Sequence, residues 1–312
     1  MLRFLPPGML VALLGALGCQ GSGSDLPPAP PPPPPTPPVT GTGTPDPSVV
    51  YQGHTFTGDV RVHTGFHSQI LNNTRTYWVY LPPNYSTETR YYPVLYLGDG
   101  DVLFDSTNVA GRTVEWQVDE TAERLIRTGV IPPMIIVGIA VSSSSRWNEY
   151  TPTYDASAQL GGSAPLYARM LVEELKPQVD HNYRTLPDPA NTGVGGSSLG
   201  GLLSLYLGLT RTSVFHTVMA MSPTVAWDNQ SLTQQYGALP AKLPVRYWID
   251  HGSKENNDAS GDKVATLVNL LVAKGWGLHQ DVEFYIGPNQ DHSDQAWRAR
   301  MEPALRFLYG SH

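Results

Sequence analysis

The sequence has one cysteine, little charge and no basic excess. A single Cys in 312 residues excludes a disulfide scaffold and any multi-cysteine zinc or iron–sulfur site. Lys and Arg number 20 against 27 Asp and Glu, a formal net charge of −7. With no basic face to neutralise phosphates, nucleic acid is not an expected partner. The apolar run Met9 to Gly18 would rise only about 15 Å as a helix, half of a roughly 30 Å hydrocarbon core. It cannot span a bilayer.

Proline and glycine are abundant, 29 and 30 residues, and unevenly spread. Residues 1–18 read as a secretory signal peptide: Arg3, then MLVALLGALG, ending in small residues. These lead into the only cysteine as Ala16-Leu17-Gly18-Cys19, which resembles a bacterial lipobox with Cys19 as the lipid attachment. Residues 19–49 form a disordered Pro-rich linker containing PPAPPPPPPTPP. It cannot build a core and suits a semi-rigid polyproline spacer. The expectation is an exported protein, held at the membrane by this lipid anchor alone. That makes it a cell-envelope lipoprotein of the periplasm or outer surface, with plain secretion as the alternative.

Residues 50–312 carry the body. RTYWVYL (75–81) alternates as a strand should, and Pro82-Pro83 end it. PVLYL (93–97) and MIIVGIAV (134–141) are short apolar runs suited to strands covered on both faces. Further strands are expected at 192–195, 217–221, 245–249 and 282–286. Helical patterns lie between them, at 116–128, 166–179 and 199–209. The clearest has Val264, Leu267, Val268, Leu271 and Val272 on one face, with Ser260 as cap and Gly275 as stop. Pro177 should kink or end the 166–179 segment. Strands alternating with helices imply an α/β fold: one domain, a mostly parallel sheet and helices on both faces.

GSSLG (196–200) is the only G-x-S-x-G of the chain and lies between a short strand and a helix. That context makes Ser198 a candidate nucleophile on a sharp turn, which demands small neighbours. A serine hydroxyl needs a base, and the base an orienting acid. His292 follows the last strand by a short loop, at the carboxyl edge where α/β sites form. It is the candidate base. The acid should lie after strand 245–249 and is either Asp258, counted back from the next helix, or Glu255, three residues after Gly252. For the oxyanion, backbone N–H groups are expected from Leu199 and from Asp101 in the Gly98–Asp101 loop. Trp116, Arg146, Trp147, Tyr150 and Trp227 follow carboxyl ends of strands and are candidate substrate-binding residues. His63 and His67 sit in strand-like sequence, so no metal site is expected there, and no cofactor is needed.

These segments resemble the Putative esterase branch of the α/β-hydrolases, which includes enterochelin-esterase-like enzymes, the esterase D group, bacterial feruloyl esterases and mycolyltransferases. The likeness rests on TYWVYLPPNY (76–85), PVLYLGDGDVLFD (93–105), EYTP (149–152), LVEELKPQVDHNYRT (171–185), GGSSLGGLLSLYLGL (195–209), MSP (221–223) and DHSDQAW (291–297). It implies an α/β-hydrolase fold and a serine carboxylic-ester hydrolase working through an acyl-enzyme. Its substrate would be a small-molecule or carbohydrate-linked ester: aryl, catechol (siderophore-like) or sugar-linked. Acyl transfer to a sugar or lipid, or a surface binding protein without turnover, are the alternatives. Gly98 departs from relatives that carry His before the Asp-Gly pair.

Overall fold

Period-two alternation within each strand builds the two faces of the sheet. The computed structural model describes residues 54–107, 114–141, 144–255 and 260–310. The signal peptide, Cys19, the Pro-rich linker and Asp258 lie outside the described residues. The strands are β1 (Asp59–Ser68), β2 (Asn73–Leu81), β3 (Val94–Gly98), β4 (Ile135–Ile139), β5 (Tyr154–Asp155), β6 (Leu160–Gly161), β7 (Thr192–Ser197), β8 (Thr217–Met221), β9 (Arg246–Gly252) and β10 (Val282–Gly287). The helices are α1 (Val118–Arg127), α2 (Arg146–Glu149), α3 (Ala164–Arg169), α4 (Lys176–Asn182), α5 (Leu199–Thr210), α6 (Trp227–Gly237, with left-handed backbone at Asp228, Asn229 and Gln230), α7 (Ser260–Ala273) and α8 (Asp294–Tyr309).

Eight strands form one sheet in the order β1-β2-β4-β3-β7-β8-β9-β10. The pairs β1/β2 and β2/β4 are antiparallel, and from β4 to β10 every pairing is parallel. Tyr77, Val79, Tyr96, Val137, Val218 and Ile249 point to a core built with α3, α5 and α7. Their neighbours Trp78, Leu95, Ile136, Met219 and Trp248 point to a second core, built with α1 and α8. A sheet buried on both faces needs apolar residues at every position. The continuous runs in β3, β4 and β8 are the result. β3 lies between β4 and β7, so the chain winds outward in both directions from it. A crevice opens at such a switch, beyond the carboxyl ends of the strands.

One expectation needs correction. Pro177 does not end its helix, because a π-helical segment, Met170–Leu175, joins α3 to α4. The wide π turn displaces the carbonyl a proline ring would meet one turn back, and Pro177 sits in the first turn of α4, where a missing N–H costs little.

At the start of α1, Asp119 is buried and accepts the Thr57 N–H at 2.7 Å. Burial, aided by its neighbour Glu120, pushes its carboxyl well above the usual range. The unfolded chain gives up this proton near the ordinary value of 3.8, so the fold loses stability as pH climbs between the two. Asp119→Asn keeps the acceptor for Thr57 and removes the titration. It is expected to raise the melting temperature at alkaline pH and to change it little in mild acid, as followed by thermal unfolding across pH.

Candidate active site

Ser198 stands at the β7–α5 junction with φ 57° and ψ −119°, a backbone region that side chains rarely occupy and that costs about 1–3 kcal/mol. The turn is clamped from both sides: Ser198 N–H donates to Met221 O at 2.9 Å, and Thr224 N–H donates to Ser198 O at 3.1 Å. Gly201 makes the clamp possible, since a Cβ there would lie 2.9 Å from Met221 O and 3.1 Å from Pro223 Cα. A Cβ on Gly200 would meet nothing closer than 3.5 Å. Gly201→Ala is therefore expected to destabilise the fold by about 1–3 kcal/mol through overpacking against backbone. Gly200→Ala, a gain in helix propensity with no clash, is expected to be neutral or better. Urea unfolding of the two variants checks both.

The strained turn presents the Ser198 hydroxyl to His292, whose Nε2 lies 2.9 Å from Oγ. On the other side of the ring, His292 Nδ1 is 3.0 Å from Glu255 Oε2. Glu255 is thus the acid that meets the imidazole. Loop stitching brings it there. Ser253 N–H donates to Gly287 O and Lys254 N–H to Gln290 O, both at 2.9 Å. These bonds tie the end of β9 to the loop that carries His292. The two backbones approach so closely at Gly252 that a Cβ would lie 2.2 Å from Gln290 O. Only glycine fits.

Burial alone would push the Glu255 carboxyl up. Hydrogen bonds from His292, the Ser222 hydroxyl and the Gly252 amide outweigh it and hold the carboxyl below its usual range. The acid is therefore ionised wherever the imidazole needs a negative partner. The Trp297 indole and the His292 ring meet edge to face, with centroids 5.0 Å apart and planes at 85°.

The expected oxyanion donors occupy suitable elements. Leu199 opens α5, where first-turn N–H groups lack intrahelical acceptors. Asp101 lies in a one-turn helix, Gly100–Val102, directly after β3, the strand beside β7. That loop is held from below. Arg146 grips the Asp99 carboxylate with two hydrogen bonds of 2.7 Å and reaches Ser197 O at 3.3 Å. The Tyr150 hydroxyl accepts the Asp99 N–H at 3.0 Å.

Four assignments to the substrate site change as a result. Arg146 and the fully buried Tyr150 brace the loop after β3; their polar groups are spent on Asp99. Trp116 is fully buried, packs on Trp297 and donates to Asp294 Oδ1 at 2.9 Å, fastening the first turn of α8 behind His292. Trp227 is also buried, donates to Thr153 O at 2.9 Å and lies beneath Trp147. A residue just past a strand end can point down into the core as readily as up, and strand position does not tell the two apart. Trp147 alone of the three tryptophans is exposed, at 48%. It lines an open cleft of about 510 Å³ with Ser198, Thr224, His251, Lys254 and His292.

Spacing and periodicity assign no role to Ser222, which enters only through the MSP segment (221–223), or to Arg300. Ser222 lies just past β8 and bonds Glu255 Oε1 at 2.7 Å. Arg300 is fully buried, 3.3 Å from Asp250. A signal for Arg300 exists: it shares the inward stripe of α8 with Trp297, Met301, Ala304 and Leu308, and a charge on such a stripe needs a partner.

Residues 68–308 match the protein family described as Putative esterase. The chain is 32% identical over 212 residues to the ferri-bacillibactin esterase BesA of Bacillus subtilis (strain 168), covering 61% of this chain and 69% of that protein. It is 28% identical over 251 residues to YbbA of the same organism, covering 76% and 93%. Among solved structures, a ferulic acid esterase superposes with a TM-score of 0.64 at 21% identity, over 81% of this chain and 99% of that one. The last likeness concerns the fold, an α/β-hydrolase sheet with helices on both faces. Because the family match runs from β1 to the last turn of α8, the chain belongs to the Putative esterase family and is a carboxylic ester hydrolase.

Proposed function

We propose that the protein hydrolyses its ester through a Ser198–His292–Glu255 triad and an acyl-enzyme. The observation that carries this is the unbroken line from Ser198 Oγ to His292 Nε2 at 2.9 Å and from Nδ1 to Glu255 at 3.0 Å. His292 takes the hydroxyl proton as Ser198 attacks the ester carbonyl. The Leu199 and Asp101 amides meet the oxyanion, and the imidazolium passes its proton to the leaving alkoxide. Water, deprotonated by the same imidazole, then releases the acid and restores Ser198. Glu255 keeps the ring in the tautomer with its proton on Nδ1 and balances the imidazolium charge. No cofactor enters these steps.

An aromatic acyl or alcohol group suits the cleft. Trp147 offers an exposed indole in contact with Trp227, and Lys254 supplies a cation to the same cleft. An aryl, catechol or sugar-linked ester fits that lining, in keeping with relatives named for ferri-bacillibactin and ferulic acid. The test is a panel of 4-nitrophenyl, feruloyl-sugar, acetyl-sugar and catecholate siderophore esters. Aromatic esters are expected to give the highest kcat/KM, and Trp147→Ala to remove that preference. Equal rates across the panel would overturn it.

The lipobox-like segment supports export and anchoring through Cys19. Several acyl chains hold a protein on a membrane because each buried methylene contributes about 0.8 kcal/mol. Cys19→Ala is expected to move the protein from the membrane fraction to the soluble one; an unchanged distribution would refute the anchor.

A further inference from the structure

Behind the triad lies a second layer of polar groups that the steps above do not use. Resting on the triad reading, we propose that Ser222, fixed by Arg300 and Trp297, is a positioning residue that confines the acid's proton chemistry to the one oxygen facing His292.

Donor and acceptor capacity carries the argument. Glu255 Oε2 faces His292 Nδ1. Oε1 is met by the Ser222 hydroxyl at 2.7 Å, the Gly252 amide at 2.7 Å and Arg300 Nη2 at 3.5 Å. Ser222 Oγ is itself approached by Trp297 Nε1 at 3.0 Å and Arg300 Nη2 at 2.8 Å. Indole and guanidinium groups only donate, and a hydroxyl has two lone pairs and one hydrogen. With both lone pairs taken, the Ser222 hydrogen can go only to Oε1. That oxygen must then accept, so any proton shared by the pair lies on the line between Oε2 and His292 Nδ1.

Ser222 is locked in this role by its backbone. Its φ is 42°, a left-handed conformation held by its N–H donating to Asp250 Oδ1 and Asp250 O, each at 3.0 Å. Asp250 is fully buried and also accepts the Trp248 indole N–H at 2.6 Å. One buried cation, Arg300, thus faces two buried carboxylates, Asp250 and Glu255. Burial pushes the Asp250 carboxyl up to about 6, so the ionised Glu255 carries the negative charge that meets the His292 imidazolium during acyl transfer. His251 at the end of β9, Lys254 beside it and Asp291 on the His292 loop are the other titratable groups that line the same cleft as Glu255 and His292.

The test is the pH dependence of ester hydrolysis by Ser222→Ala. Without the hydroxyl proton on Oε1, more of the carboxylate charge falls on Oε2 and the imidazolium is held more tightly. The acidic limb of kcat/KM is expected to move to higher pH. The kcat should fall about tenfold to a hundredfold, the effect of losing one hydrogen bond to a charged group, with KM changing less. Trp297→Phe keeps an aromatic ring against His292 and frees one lone pair of Ser222. It should shift the limb in the same direction by less, and it carries the test if Ser222→Ala does not fold. Acidic limbs unmoved in the folded variants, with kcat lowered or not, would overturn the proposal. A fluorophosphonate probe separates this from failure of the triad: if the wild type is not labelled at Ser198, the triad itself is wrong. If it is labelled and the limbs stay put, only the role of Ser222 is.

Discussion

Replacing Ser198 by alanine is expected to lower kcat for a 4-nitrophenyl ester by about 10⁵- to 10⁶-fold, with the fold intact. Removing the nucleophile of a comparable triad costs on this order, and the remnant comes from oxyanion donors and binding. The same site stores strain, so Ser198→Gly, which suits φ 57° and ψ −119°, should be more stable than Ser198→Ala by about 1–2 kcal/mol. Both should be equally inactive. Burst kinetics and thermal melts measure the two quantities. Retained turnover in either variant would remove Ser198 from the reaction. Equal stability of the two would mean that the elbow carries no strain.

The second large effect is expected at the acid. Glu255→Gln preserves shape and the bonds of Oε1. It allows an amide NH₂ to face His292 Nδ1, which then selects the wrong ring tautomer. In a comparable triad the amide substitution lowers kcat by about 10⁴-fold, and a fall of about 10³- to 10⁴-fold is expected here, on the same grounds. With Glu255 as the orienting acid, Asp258→Asn should leave kcat within about twofold. The reverse pattern would show that Asp258 replaces Glu255 in the working enzyme. Acid should also unfold the protein partly through Glu255. Its carboxyl is held below the usual range, so it stabilises the fold above the ordinary carboxylate pKa, and that contribution disappears as pH falls through the lowered one.

Much of this was legible because it is local. The apolar runs of β3, β4 and β8 reflect burial on both faces, and the α7 pattern reflects one face. Gly196 to Gly201 read as an elbow because a strained turn tolerates little beside it. His292 could be picked by its place after the last strand. The π segment before Pro177 was not legible, since a widened turn leaves no mark on hydrophobic period. Nor was the burial of Trp116, Trp227 and Tyr150, which depends on what packs above each loop.

The succession of strands and helices along the chain, the small-residue turn around Ser198 and the place of His292 after the last strand were determined by the sequence itself, because periodicity, small residues and chain order are properties of neighbours along the chain. The pairing of Glu255 with the His292 imidazole, the bracing of Asp99 by Arg146 and Tyr150, and the closure of Ser222 between Trp297 and Arg300 were decided only in three dimensions. Each joins groups from separate loops, and whether two polar atoms lie 3 Å or 10 Å apart there is set by backbone contacts such as that of Gly252 with Gln290, at distances that hydrogen bonding makes decisive (about 2.7–3.2 Å).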